Sequence, residues 1–293
     1  MMGLGCGLWV MAALGCAASA SAAGDVETPL SALYERAAAD LKATGTLRMR
    51  VYVALCDNDS QGIAPVKNRA ICDGERPERN LYWATSGGLR AYLEGAGFRR
   101  TRYERSDAGP VIIRAAWTKR MWPGGRLRAL GVKRRFDVEI EALAYRGRHI
   151  EQAMRDYLAE VHGAAASPAP AHVVGYIGHN YLLDLPDAGR RLQPVGGLRA
   201  DSRLPRAVFA LSCFGAQLIG PAIARPDAPV LVLNRSLTYP GAWTIGGLLE
   251  GLGAGLSARG IHRRASRHFA RGKKKPPGSM MRVFAYGPTA RAQ

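Results

Sequence analysis

The chain has 293 residues, 47% of them hydrophobic, enough for one large α/β domain or two small ones. After the first two dozen residues no stretch of 18 uncharged apolar residues occurs, so a further membrane span is not expected. Lys and Arg number 41 against 23 Asp and Glu, a formal charge of +18 that favours anionic surfaces; an Arg-, Ala- and Gly-rich coding bias accounts for it equally well, and without a recognisable binding module no specific nucleic-acid function is expected.

Leu4 to Cys16 is a nearly continuous apolar run followed by the small-residue stretch Ala17 to Ala23. The run is too short to span a bilayer and reads as the core of a secretory signal, with Ala20-Ser21-Ala22 or Ser21-Ala22-Ala23 suited to a signal peptidase. Residues 1–23 are therefore expected to be removed, leaving a periplasmic or secreted protein with no transmembrane segment. No Lys or Arg precedes the run, and Ala13-Leu14-Gly15-Cys16 has its Leu one place late for a lipobox, so anchoring at Cys16 is not expected. Residues 24–260 read as one α/β domain and 261–293 as a basic C-terminal helix and tail.

Asp25 to Ala43 has helical spacing, and Leu47 to Leu55 reads as a buried strand. A long Asn-, Asp-, Gly- and Pro-rich loop runs on to Trp83 and contains Cys56 and Cys72. With Cys6 and Cys16 in the signal, three cysteines remain. A Cys56–Cys72 disulfide would close the loop, contributing about 3 kcal/mol on the chain-entropy argument, and would leave Cys213 outside the bridge. A helix capped by Ser86 should run to Gly97. Strands are expected at Arg100 to Ser106, Val111 to Thr118 and Phe136 to Tyr145, with a basic Gly-rich loop from Lys119 to Arg135. Arg148 to Val161 has one apolar face and is predicted helical.

Three short apolar strands follow: His172 to Ile177, ending in Gly178-His179-Asn180; Ala207 to Leu211, ending in Ser212-Cys213; and Pro229 to Leu233, ending in Asn234. Helices are expected at Gly215 to Ala224, Ala242 to Ala258 and Ile261 to Lys275. All-apolar strands alternating with helices predict a mostly parallel sheet with helices on both faces, a three-layer α/β sandwich.

In such sheets ligands bind beyond the carboxyl ends of the strands. His179 and Cys213 hold corresponding positions at two of those ends. A thiol attacks carbonyl carbon as the thiolate, and a neighbouring imidazole can take its proton. Backbone N–H groups around Gly178 and Asn180 would receive the oxyanion. Asp57, Asn58, Asp184 and Asn234 are candidate substrate contacts. Asp57 and Asn58 read equally as an Asx-rich turn or oxygen donors to a cation, and Asp184 as an orienter of His179 or a solvated carboxylate. Gln61, Asn80, Tyr82 and Trp83 could wall a cleft or simply pack. His149, His162, His172, His262 and His268 lack metal-ligand spacing, so neither metal nor cofactor is expected.

Val173-Val174-Gly175-Tyr176-Ile177-Gly178-His179-Asn180 with Ala207-Val208-Phe209-Ala210-Leu211-Ser212-Cys213 resembles the paired blocks of the caspase, legumain and clostripain-like cysteine peptidases. The likeness implies a caspase-like fold, with Cys213 as nucleophile, His179 as proton carrier and a peptide or protein as substrate. Asn180 stands where that group has glycine, and Ser212 where alanine is commoner. Segments around Cys56, Asn80 and His179 also resemble an exported bacterial family, a likeness that implies no activity. The alternatives are a non-catalytic ligand-binding relative and a basic protein that binds anionic cell-envelope surfaces through residues 119–135 and the C-terminal segment.

Overall fold

A computed structural model of the chain describes residues 21–62, 66–163, 169–184, 205–225, 227–237, 239 and 241–287. Most of the expected signal segment, with Cys6 and Cys16, lies outside the described residues. The described strands form one mixed sheet: β1 (Thr46–Ala54), β2 (Arg99–Arg105), β3 (Val111–Met121), β4 (Phe136–Tyr145), β5 (Val173–Ile177), β6 (Ala207–Leu211), β7 (Val230–Asn234) and β8 (Phe284–Ala285). The spatial order is β2-β3-β4-β1-β5-β6-β7-β8. The central five, β4, β1, β5, β6 and β7, run parallel. The outer strands β2, β3 and β8 run antiparallel to their neighbours.

This is the expected three-layer α/β sandwich, and the burial explains it. Every residue of β5, β6 and β7 is buried, as it must be in a sheet covered on both faces. One face packs against α1 (Ser21–Thr44), α2 (Leu89–Gly95), α3 (Gly125–Ala129), α7 (Trp243–Gly253) and α8 (Ala258–Gly272) through Leu30, Leu93, Leu127, Leu248 and Phe269. The other packs against α4 (Ile150–Val161), α5 (Gly215–Leu218) and α6 (Gly220–Ile223) through Met154, Tyr157, Ala216 and Ile223. Edge strand β2 is short and carries Arg99, Arg100, Arg102 and Arg105, which discourages pairing with another sheet.

Three local expectations change. Residues 119–135 are not all loop: β3 continues to Met121, and α3 follows. Alternation persists under the Lys and Arg side chains. Ser86 does not cap α2; Gly88 does, because the chain from Asn80 to Gly88 winds through successive turns first. A boundary between 260 and 261 would fall inside α8, whose Ile261, Ala265 and Phe269 belong to the same core as the sheet. Beyond α8, β8 pairs with β7. The density of Arg and Lys there hides an apolar face at helical spacing.

Two features prepare the site. A disulfide joins Cys56 and Cys72 and closes the loop after β1. The chain leaves β1 for β4 on one side, crosses back with α4 packed over β1, and then steps outward through β5, β6 and β7. The direction of winding therefore reverses between β1 and β5, the position at which open α/β sheets commonly bind ligands.

Candidate active site at the carboxyl ends of β5 and β6

β5 and β6 are neighbours, and Ile177 at the end of one is opposite Leu211 at the end of the other. Gly178 then donates its N–H to Leu211 O (3.3 Å), adding one more rung to the ladder. His179 and Cys213 each follow two residues beyond this matched pair. Ile177 and Leu211 belong to the same core face. His179 is 3% exposed, whereas Cys213 is partly exposed and not disulfide-bonded.

Asp184 is the partner of His179. A short 3₁₀ turn, Tyr181–Leu183, folds the chain back so that both Asp184 carboxylate oxygens lie 3.0 Å from His179 Nε2. A carboxylate only accepts, so the contact requires a proton on Nε2. Gly62, in the loop after β1, lies against this carboxylate: a Cβ there would sit 2.6 Å from Asp184 Oδ1. Asp184 therefore has a positioning geometry, not that of the substrate contact expected for it.

Asn180 acts through its side chain. Nδ2 donates to Cys213 O (2.7 Å), and Oδ1 accepts from Leu182 N (3.1 Å). One fully buried amide thus fixes the backbone of Cys213 and the turn that carries Asp184. Gly178 is no oxyanion donor, because its N–H is engaged in the sheet. Its missing side chain serves packing: a Cβ would come within 2.9 Å of Ala54 O.

Cys213 sits on a tight strand-to-helix turn. Phe214 is left-handed (φ 50°, ψ 29°), a conformation that is strained for an aromatic residue. It is held by Phe214 N–H to Ser236 O (3.3 Å) and Gly215 N–H to Ser212 O (3.1 Å). Tyr82, buried in the same core face, is the neighbouring ring. Burial, and then the negative charge available to the Cys213 sulfur, push its phenol above the usual range. Tyr82 was one of four residues read as cleft wall or packing; its sequence context contains nothing that distinguishes the two.

The remaining candidates divide. Asp57 is turned inward, its oxygens taken by Asp59 N (3.1 Å) and Ser60 Oγ (2.6 Å). Asn58 exchanges hydrogen bonds with Val66 N (3.0 Å) and Val66 O (3.1 Å). Both brace the loop instead of facing a substrate, which is the Asx-turn chemistry of their residue types. Gln61 and Asn80 are also buried amide braces: Gln61 Nε2 donates to Leu55 O (2.7 Å), and Asn80 Nδ2 to Cys56 O (2.8 Å). Asn234 differs. It is fully buried, and both carboxamide atoms lack partners among the described residues, as does Ser212 Oγ one strand away. Buried polar atoms left this way are uncommon and concentrate where water or a ligand completes them.

No cluster of three potential metal ligands occurs among the described residues. A cavity of about 370 Å³ lies elsewhere, between α2, β3, α7 and α8, and none of the strand-end residues lines it. No family model, curated protein or solved structure matches the chain. Any functional reading therefore rests on the site itself.

Proposed function

We propose that the chain is an exported cysteine hydrolase of the acyl-transfer class, acting on peptide or protein substrates. Cys213 is the nucleophile, His179 moves the proton and Asp184 orients His179. The observation that carries the reading is the pairing of β5 with β6, which brings a carboxylate-anchored imidazole and a partly exposed thiol to one sheet edge.

The chemistry follows from the tautomer. With Nε2–H directed at Asp184, the Nδ1 lone pair accepts the thiol proton as sulfur attacks the carbonyl carbon. The resulting imidazolium stays paired with the ionised Asp184. It then protonates the leaving amine as the tetrahedral intermediate collapses to a thioester. Water, deprotonated by the same imidazole, releases the acid and restores the thiol. The Asn180 and Cys213 amides serve the oxyanion, and the Asn180 side chain keeps the Cys213 backbone in register through its carbonyl. The Cys56–Cys72 disulfide agrees with an oxidising compartment, and among the described residues no helix is long and apolar enough to cross a membrane. The resemblance to caspase- and legumain-like peptidases points the same way.

The test is thiol chemistry followed by turnover. Iodoacetamide should label Cys213 quickly at neutral pH, and His179→Ala should slow that labelling. A fluorogenic peptide library should yield at least one substrate whose hydrolysis disappears in Cys213→Ala. Equal labelling of the parent and His179→Ala chains, with no hydrolysis, would assign the strand ends to a non-catalytic ligand site.

A further inference from the structure

The arginines of α8 are arranged unlike those elsewhere in the molecule. Arg259, Arg263, Arg267 and Arg271 recur every fourth residue, and all four are exposed. At 1.5 Å per residue they rise about 18 Å along the axis in a row inclined to it, winding about 120° around the helix. Like charges at i, i+4 oppose helix formation, and here nothing relieves them. Glu250 is engaged by Arg264 and His268. From Gly251 onward the sequence holds no acidic residue. Several arginines elsewhere do meet carboxylates: Arg50 with Glu141 and Glu160, Arg102 with Glu141, Arg155 with Glu151. Among the described residues no carboxylate pairs with the four in the line.

The line continues past the helix into Lys273, Lys274 and Lys275, all exposed. Lys273 Nζ lies 5.1 Å above the ring of Tyr239. Close to Tyr239 in the chain, in the loop that leaves β7, Leu237 is 72% exposed and Arg235 is exposed beside it. The surface therefore joins a row of cations to a projecting apolar side chain.

We propose that this face docks the protein on a membrane carrying anionic phospholipid head groups. The guanidinium line supplies charge complementarity to phosphate. Three of its members, Arg259, Arg263 and Arg267, project from the exposed side of the helix, while Arg271 borders the cavity between α2, β3, α7 and α8. Leu237 gains from the acyl boundary, which an acidic polysaccharide or a nucleic acid does not offer. No other large apolar side chain accompanies the arginines, so binding is peripheral and reversed by salt. The inference stands apart from the thiol chemistry.

Vesicle co-sedimentation tests it. The protein should pellet with phosphatidylcholine vesicles containing about one third phosphatidylglycerol, and not with phosphatidylcholine alone. Binding should fall steeply with added salt. Arg263→Ala with Arg267→Ala should weaken it about 30-fold, because each basic residue near an anionic leaflet contributes about a fivefold factor. Leu237→Ser should weaken it several-fold, and all three variants should retain the parent's circular dichroism and Cys213 labelling. Equal binding to neutral vesicles overturns the proposal, as does binding untouched by the arginine changes. Arginine-dependent capture by polygalacturonate or duplex DNA, without vesicle binding, overturns it in favour of that polymer. Loss of labelling in Cys213 experiments leaves the docking result unaffected.

Discussion

β5 has a histidine near each end, and each histidine faces a carboxylate. Just before the strand, His172 Nε2 lies 2.9 Å from Asp40; just after it, His179 Nε2 lies 3.0 Å from Asp184. The difference is in the second nitrogen. His172 Nδ1 accepts from Arg48 N–H (3.0 Å), so both ring nitrogens are engaged and the fully buried ring ties α1 to the β1–β5 pair. His179 has one nitrogen anchored, and no hydrogen bond to the other occurs among the described residues. A His–Asp pair is thus a structural clamp when both nitrogens are taken. When one nitrogen is left uncommitted, the same pair can serve the proton transfer proposed for His179.

Substitutions can break this contrast. His179→Ala should lower kcat/KM for a peptide substrate by about 10²–10⁴-fold, the usual contribution of a positioned proton carrier, far beyond what its modest loss of stability accounts for. Asp184→Asn should cost roughly 10²-fold, because an amide can hold the ring in the wrong tautomer or orientation. That loss should be in kcat more than KM, and Asp184→Glu should recover part of it. His172→Ala should reverse the pattern. It leaves Asp40 and the Arg48 amide without their partner, so unfolding in urea should show a loss of about 1–3 kcal/mol with thiol labelling unchanged. A rate loss in His172→Ala equal to that in His179→Ala would erase the distinction.

Acid sharpens the same contrast more gently. Burial, reinforced by the Arg36 guanidinium and opposed by Asp40, holds the His172 imidazole below its usual range. The folded protein therefore takes up this proton less readily than the unfolded chain. The contribution of His172 is complete above the unfolded value of about 6.5 and is lost as pH falls below it. His262 is displaced the same way by burial. Urea midpoints should decline from pH 7 to pH 5, and His172→Gln should flatten part of that slope. An unchanged slope would remove His172 as its source.

Most of the architecture was legible in the sequence. β4, β5 and β6 were anticipated to within a residue at either end, β4 from its alternation and β5 and β6 from short unbroken apolar runs. The Cys56–Cys72 bridge was legible from cysteine arithmetic and loop composition. β8 was not, since two residues carry no periodicity. The candidate site was legible only as residues at strand ends. Asp184 as an orienter of His179 was one of its open readings, but the choice among them, and Asn180 as the brace of Cys213, depend on a three-residue turn whose direction leaves no pattern in the chain. Asp57 and Asn58 share the residue types of a binding loop and yet turn inward.

Local chemistry alone therefore determined that this chain builds a parallel α/β sheet, that a disulfide closes its first long loop, and that a histidine and a cysteine end two of its strands. Periodicity and residue type act over a few positions, and those statements need no more. Which strands became neighbours, which of two similar histidines kept an uncommitted nitrogen, and which arginines were left without carboxylates were decided by the tertiary structure. Each of those depends on what lies a few ångströms away through space, from segments that can be a hundred residues distant along the chain.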